Sequence, residues 1–175
     1  EKAKTADGFV FGSPVHYASA SGNMTSFMDR LSYAGGKYLA YKPAAICCSA
    51  RRAGTTTTLD QLVKYPQFFH MPLVNGSYWA MVHGSNAEQV LQDAEGCAVM
   101  QELGRNMAWL LHCIEAGKAA GFDHPQNPPR PMTSSMLPHS GGAFVVLGSA
   151  LPLLLPKRCT KRAGDAFFVH NFVLL

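Results

Sequence analysis

Gly8-Phe9-Val10-Phe11-Gly12-Ser13-Pro14-Val15-His16-Tyr17 is the stretch on which the fold turns. Its first six residues are apolar and rich in Phe and Val, a length and content that suit a buried strand. Ser13-Pro14 predicts a turn at its end. Met24, Phe27, Met28 and Leu31 then recur at helical spacing, with Asn23 as the expected cap and Gly35-Gly36 as the stop. Pro43–Ser49 reads as a second buried strand. Thr55–Thr58 offers hydroxyl caps to a helix with Leu59, Leu62 and Val63 on one face, and Pro66 is expected to stop it at Tyr65. Tyr78–Val82 reads as a third strand, closed by His83-Gly84. Val99, Leu103, Met107, Leu110, Leu111 and Ile114 predict a long helix, ended by Gly117 and Gly121. Strands alternating with helices predict an α/β fold with a parallel sheet and helices on both faces. Ligands of such sheets bind outside the carboxyl ends of the strands. The loops Ser13–Asn23, Ser49–Thr58 and His83–Ala87 are therefore the candidate site.

The composition sets the outer limits. The chain has 175 residues, 47% hydrophobic and 15% charged, which excludes wholesale disorder. A net charge of +4, scattered along the chain, gives no clustered basic face for nucleic acid. Five cysteines, an odd number in a chain of this size, argue for a reducing compartment and hence the cytoplasm. The run Ala143–Pro156 is shorter than a spanning helix and is interrupted by Pro152 and Pro156, so no membrane is expected. Composition shifts near Gly121, and the expected division is a domain at 1–121 and a Pro-rich tail at 122–175 that holds seven of the eleven prolines. In that tail Ala143–Leu147 and Phe167–Leu175 have strand-like length, and the expectation is that the tail stays irregular or covers the open edge of the first strand.

Ser13-Pro14-Val15-His16-Tyr17, followed by a helix ending in Phe27-Met28-Asp29-Arg30, resembles the second flavin loop of the NADPH-dependent FMN reductase family. Cys48-Ser49-Ala50-Arg51-Arg52-Ala53-Gly54 is similar to that family's third flavin loop, and Asn75–Gly84 to its fifth-strand region. The resemblance covers about residues 3–121. It implies a flavodoxin-like three-layer α/β/α fold with a parallel sheet, N-terminally truncated, since the chain matches from the third strand onward. It implies an FMN-dependent NAD(P)H oxidoreductase that takes hydride from NAD(P)H and passes it on to an acceptor, and a homodimer. The implied FMN would be held weakly or lost if the phosphate-cradling loop is absent. The alternative is a non-catalytic remnant that acts only through association.

The candidate cofactor-binding residues are Ser13, Pro14, Val15, His16, Tyr17, Ser49, Ala50, Arg51, Arg52 and Gly54. Backbone amides of Pro14–Tyr17 can face a ring edge, and Tyr17 can stack on the ring or pack beneath it. Ser49 and Ala50 are small enough for a ring to approach the backbone. Arg51 and Arg52 suit the charge of a reduced flavin or a dinucleotide phosphate, against the plain reading of two solvated arginines. Of Tyr78 and Trp79 one is expected in the core and the other beside the flavin or a dimer face. Cys47 and Cys48 are neighbours in a strand, so their thiols point to opposite faces and cannot chelate jointly. No catalytic side chain and no metal site is assigned.

Overall fold

A computed structural model of the chain describes residues 1–129 and the short strand 172–174. It divides into a unit of Glu1–His124 with Phe168–Leu175 and a second unit of Pro125–Phe167. Of the second, residues 125–129 are described and hold no helix or strand. The run Ala143–Leu147 lies outside the described residues.

The elements follow in order: α1 Lys2–Thr5, β1 Gly8–His16, β2 Ser19–Ala20, α2 Gly22–Gly35, β3 Ala44–Ala50, α3 Thr55–Phe68, β4 Leu73–Val74, β5 Met81–His83, α4 Ala87–Val90, α5 Ala94–Ala119 and β6 Phe172–Leu174. β3 lies in the middle, parallel to β1 on one side and to β4 and β5 on the other. This is the parallel core expected from the three apolar runs, and the order matches strands 3, 4 and 5 of a flavodoxin-like sheet. Alternation along the strands splits the core in two. Phe9, Phe11, Ala44, Ile46 and Cys48 pack with Met28, Leu59 and Leu62 of α2 and α3. Ala45 and Val74 pack with Val99, Leu103, Met107 and Leu111 of α5, and Val10 and Cys47 lie against that second cluster. The Cys47 and Cys48 thiols do enter opposite layers. Burial pushes both upward, Cys48 to about 12, as for thiols held away from water.

Five local expectations are corrected. β1 does not turn at Ser13-Pro14 but runs on to His16. Phe9 N–H donates to Pro43 O of the chain entering β3, so by alternation Pro14, five residues on, turns its nitrogen to the outer edge, where no rung of the β1–β3 ladder is lost. Ser21, not Asn23, caps α2, accepting from Met24 N–H at 3.3 Å. Gly54, not a threonine, precedes α3, and the Thr58 hydroxyl instead bonds back to Gly54 O. Pro66 does not stop α3 at Tyr65. It sits buried in the last turn, where the lost N–H costs one bond, and the helix closes through Phe69 N–H to Tyr65 O and Pro66 O.

The fifth correction is the outermost strand. Tyr78–Val82 is not continuous. β4 pairs with Ala44 and Ala45, β5 pairs with Cys48 to Ala50, and Asn75–Ala80 leaves the sheet between them. Two side chains of α5 hold the excursion. Glu102 accepts from both the N–H and the hydroxyl of Ser77, and Asn106 donates to Asn75 O at 2.7 Å. Tyr78 and Trp79 are consequently both exposed, stacked edge to face at 4.9 Å. The excursion frames a cavity of about 500 Å³ against Ile46, Leu59, Val63 and Leu103.

Candidate functional site at the carboxyl edge

The two loops singled out from the sequence are brought together. In the β1–β3 register Pro14 lies beside Ser49. Beyond it, β1 folds back on β2 in a two-residue hairpin, His16 opposite Ser19, with Tyr17 at φ 52° and Ala18 at φ 57° at its tip. Positive φ at both central positions is the geometry of a type I′ hairpin turn, which usually takes Asn-Gly. Tyr and Ala held there are strained, a condition that persists only where surrounding structure enforces it. The enforcing contacts are visible. Gln61 Oε1, from α3, accepts from Ser19 Oγ at 2.8 Å and Ala20 N–H at 2.9 Å. Buried Ser13 donates its hydroxyl to Pro14 O and accepts from Ser21 N–H at 2.9 Å.

The third contact is Gly54, at φ 93°. A Cβ there would stand 2.7 Å from Ala18 Cα and 2.9 Å from Val15 Cγ1. The Ser49–Gly54 loop therefore lies directly against the hairpin, and only glycine lets it come so close.

Each candidate residue has its place. Ser13 and Gly54 serve the joint between the loops. Pro14, His16 and Tyr17 are exposed along the hairpin, and Val15 is half-buried beneath it. Ser49 is half-buried and Ala50 buried at the end of β3, while Arg51 and Arg52 project into solvent. Neither guanidinium makes a hydrogen bond or ion pair among the described residues. Residues 13–22 and 49–58 contain two arginines and no carboxylate. The N-termini of α2 and α3 open on the same edge, adding unpaired N–H groups and the positive helix-dipole ends. The joined loops thus present an electropositive, backbone-rich surface suited to an anionic ligand.

His83 completes the edge. It pairs with Ala50 in the ladder, and Gly84 N–H donates to Ala50 O at 3.0 Å. Asp93, the cap of α5, accepts from Gly96 N–H at 2.9 Å and His83 N–H at 2.7 Å, and stands 3.6 Å from His83 Nδ1. Those two backbone donors, Gly96 first, hold the Asp93 carboxyl below the ordinary carboxylate range. A depressed native pKa stabilises the fold above the unfolded value of about 3.9 and loses that contribution as pH falls through the native one. Asp93→Ala is therefore expected to cost about 1 kcal/mol at neutral pH. The gap to the parent should narrow on acidification in urea titrations, while Asp93→Asn keeps the cap and flattens the pH profile. A gap unchanged at pH 3, roughly a unit below the ordinary aspartate pKa, would contradict this.

Gln61 and Asp93 were not visible as site-supporting residues in the sequence. Their partners lie 41 and 42 residues away for Gln61 and ten for His83 N–H. The signal for Asp93 was local: an aspartate three residues before Gly96, opening a long apolar helical period.

The parallel sheet, its two helical layers and the paired loops at its carboxyl edge define a flavodoxin-like α/β protein. Residues 1–86 match the family model of NADPH-dependent FMN reductase, so the resemblance carried by Ser13–Tyr17 holds over that span, and it supports a flavin-dependent oxidoreductase in general. A similar solved structure is the flavodoxin, WrbA-like protein from Agrobacterium tumefaciens, 16% identical, with a TM-score of 0.45, covering 59% of this chain and 70% of that one. No curated protein matches the chain. Among the described residues no helix is long and apolar enough to cross a membrane, and no group of three His, Cys, Asp or Glu could hold a metal ion.

Proposed function

We propose that the chain is an FMN-dependent NAD(P)H oxidoreductase whose flavin lies across Pro14–Tyr17 and Ser49–Gly54. The observation that carries this reading is the joint at Gly54: two loops with the family's motif, in contact, bearing Arg51 and Arg52 and no acid. A bound flavin supplies the redox chemistry, accepting hydride from a reduced nicotinamide and handing it on to an acceptor. The chain's own part is binding and electrostatics. Backbone amides of the hairpin and of the turn after Ala50 face the ring edge. Ser49 and Ala50 leave room for it to approach. Exposed Tyr17 would stack on the ring or pack beneath it, and Arg51 and Arg52 would hold negative charge on the flavin or on the nicotinamide dinucleotide. The proposed flavin domain is 1–121, with 122–175 as its tail. A homodimer, with Trp79 and α5 supplying apolar surface, and a place in the cytoplasm go with the same reading.

Flavin fluorescence tests it. Titrating FMN into the purified protein is expected to quench the flavin and to give a bound species absorbing in the blue. Arg51→Ala with Arg52→Ala should weaken binding about tenfold or more, since a hydrogen bond to a charged group contributes about 1.5–3 kcal/mol. No quenching with FMN or riboflavin would leave the other reading, a chain that acts only by association.

A further inference from the structure

The broken outer strand leaves a cavity whose chemistry differs from that of the carboxyl edge. Asn75–Ala80 swings out of the sheet between β4 and β5, and α5 holds it there through Glu102 on Ser77 and Asn106 on Asn75. Where a continuous strand would cover β3, the cavity of about 500 Å³ reaches in to Ile46, Leu59 and Leu103. Its floor is apolar, and its size is that of a site for a small organic molecule. Its mouth is aromatic. Tyr78 and Trp79, 55% and 59% exposed, stand edge to face at 4.9 Å, so over half of each remains open to a ligand.

The charge in the lining has one sign. Asp60 of α3 is its charged residue, and no lysine, arginine or histidine lines it. Among the described residues the Asp60 carboxylate has no hydrogen bond or ion pair. Lys64, one turn on, lines instead a groove between α2 and α3. Beside the mouth Glu102 adds a second carboxylate, opposed by Arg105 on the same helix. A carboxylate, accessible aromatic rings and an apolar floor complement an organic cation: the ring quadrupoles attract positive charge and the carboxylate adds Coulomb attraction. The same set disfavours an anion. The flavin edge is the reverse, with two arginines and no acid in residues 13–22 and 49–58.

We propose that the cavity behind Asn75–Ala80 is a second binding site, for a small organic cation: a substituted ammonium or pyridinium with an apolar body. The body rests on Ile46, Leu59 and Leu103, and the charged head meets Asp60 and the Tyr78–Trp79 pair. The site shares no residue with the proposed flavin loops, so it is tested apart from that activity.

The test is amide NMR on the full chain without flavin, titrated with benzyltrimethylammonium and separately with phenylacetate, an anion built on the same ring. The cation is expected to shift the Trp79 indole N–H and the amides of Gly76–Ala80 and Leu59–Val63 saturably. Phenylacetate should bind at least about tenfold more weakly. Asp60→Asn should weaken the cation about threefold, the worth of one exposed charge contact, and leave neutral benzyl alcohol unchanged. Equal affinity for cation and anion would overturn the inference, and so would shifts centred on Arg51–Gly54 or no saturable shift. An Asp60→Asn protein that binds the cation as tightly as the parent overturns it too. Should that variant lose its amide dispersion and hence its fold, the comparison of cation with anion on the parent decides.

Discussion

Gly54→Val is expected to destabilise the folded chain by roughly 2–5 kcal/mol. Two costs add. The valine must adopt φ 93°, and a left-handed backbone costs an L-residue about 1–2 kcal/mol. Its Cβ must also find room beside Ala18 Cα at 2.7 Å and Val15 Cγ1 at 2.9 Å, and overpacking of that kind costs about 1–3 kcal/mol. The nearer clash, with Ala18 Cα, is with main chain, so no side-chain rotation relieves it. The hairpin has to lift away from α3, and the bonds from Ser19 and Ala20 to Gln61 go with it. Flavin binding, which the proposed function places on these two loops, should fall together with stability. Urea unfolding gives the stability directly, as a lowered midpoint at unchanged slope. A variant within about 0.5 kcal/mol of the parent, the range of an ordinary surface change, would mean that the loops do not touch.

Phe11→Ala should cost about 3–5 kcal/mol, the range for emptying a buried phenylalanine site. Phe11 is 0% exposed and lies between β3 and the helices α2 and α3. It also stacks on Phe9, with centroids 5.7 Å apart and planes 11° from parallel. That stacking adds about 0.5–1.5 kcal/mol to the burial. Its neighbours relax little, because β1 is tied to the central strand β3 over six register pairs. The matched control is Phe27→Ala on α2, at 38% exposure, expected to cost clearly less, about 1 kcal/mol. Equal losses at the two positions would mean that the core is not centred on β1.

These two phenylalanines also show what a sequence alone can carry. Phe11 sits in an apolar run too short for a helix, and its burial was legible. Phe27 shares a helical stripe with Met24, Met28 and Leu31, and spacing alone placed it with them, although only Met24 and Met28 are fully inside. The parallel core, both helical layers and the opposite directions of Cys47 and Cys48 follow from period alone. The break between β4 and β5 does not. Tyr78-Trp79 carries a strong strand preference, and it is overridden by Glu102 and Asn106, side chains on a helix some 25 and 31 residues later. The Tyr17-Ala18 turn was illegible for a similar reason. Its residues lack the Asn-Gly signal, and the conformation is imposed from Gln61 and Gly54. At the site the motif loops were readable as motif, and their joining was not, because it depends on which glycine lies against which turn.

The interrupted strand gives the sheet unequal sides. Strand-by-strand growth needs a docking rim on both flanks of each molecule, one to receive and one to give. On the flank formed by β4 and β5 the pieces are two and three residues long, with an outward loop between them. An incoming chain finds too few consecutive rungs there to hold on, which is how short edge strands protect natural sheets. Among the described residues the longer run of rungs lies on the β1 flank, where β2 takes Val15 and His16 and β6 takes Gly8 to Val10. Two molecules pairing there would use up that flank on each, and the β4–β5 flank offers no second run of rungs from which pairing between the described strands could propagate.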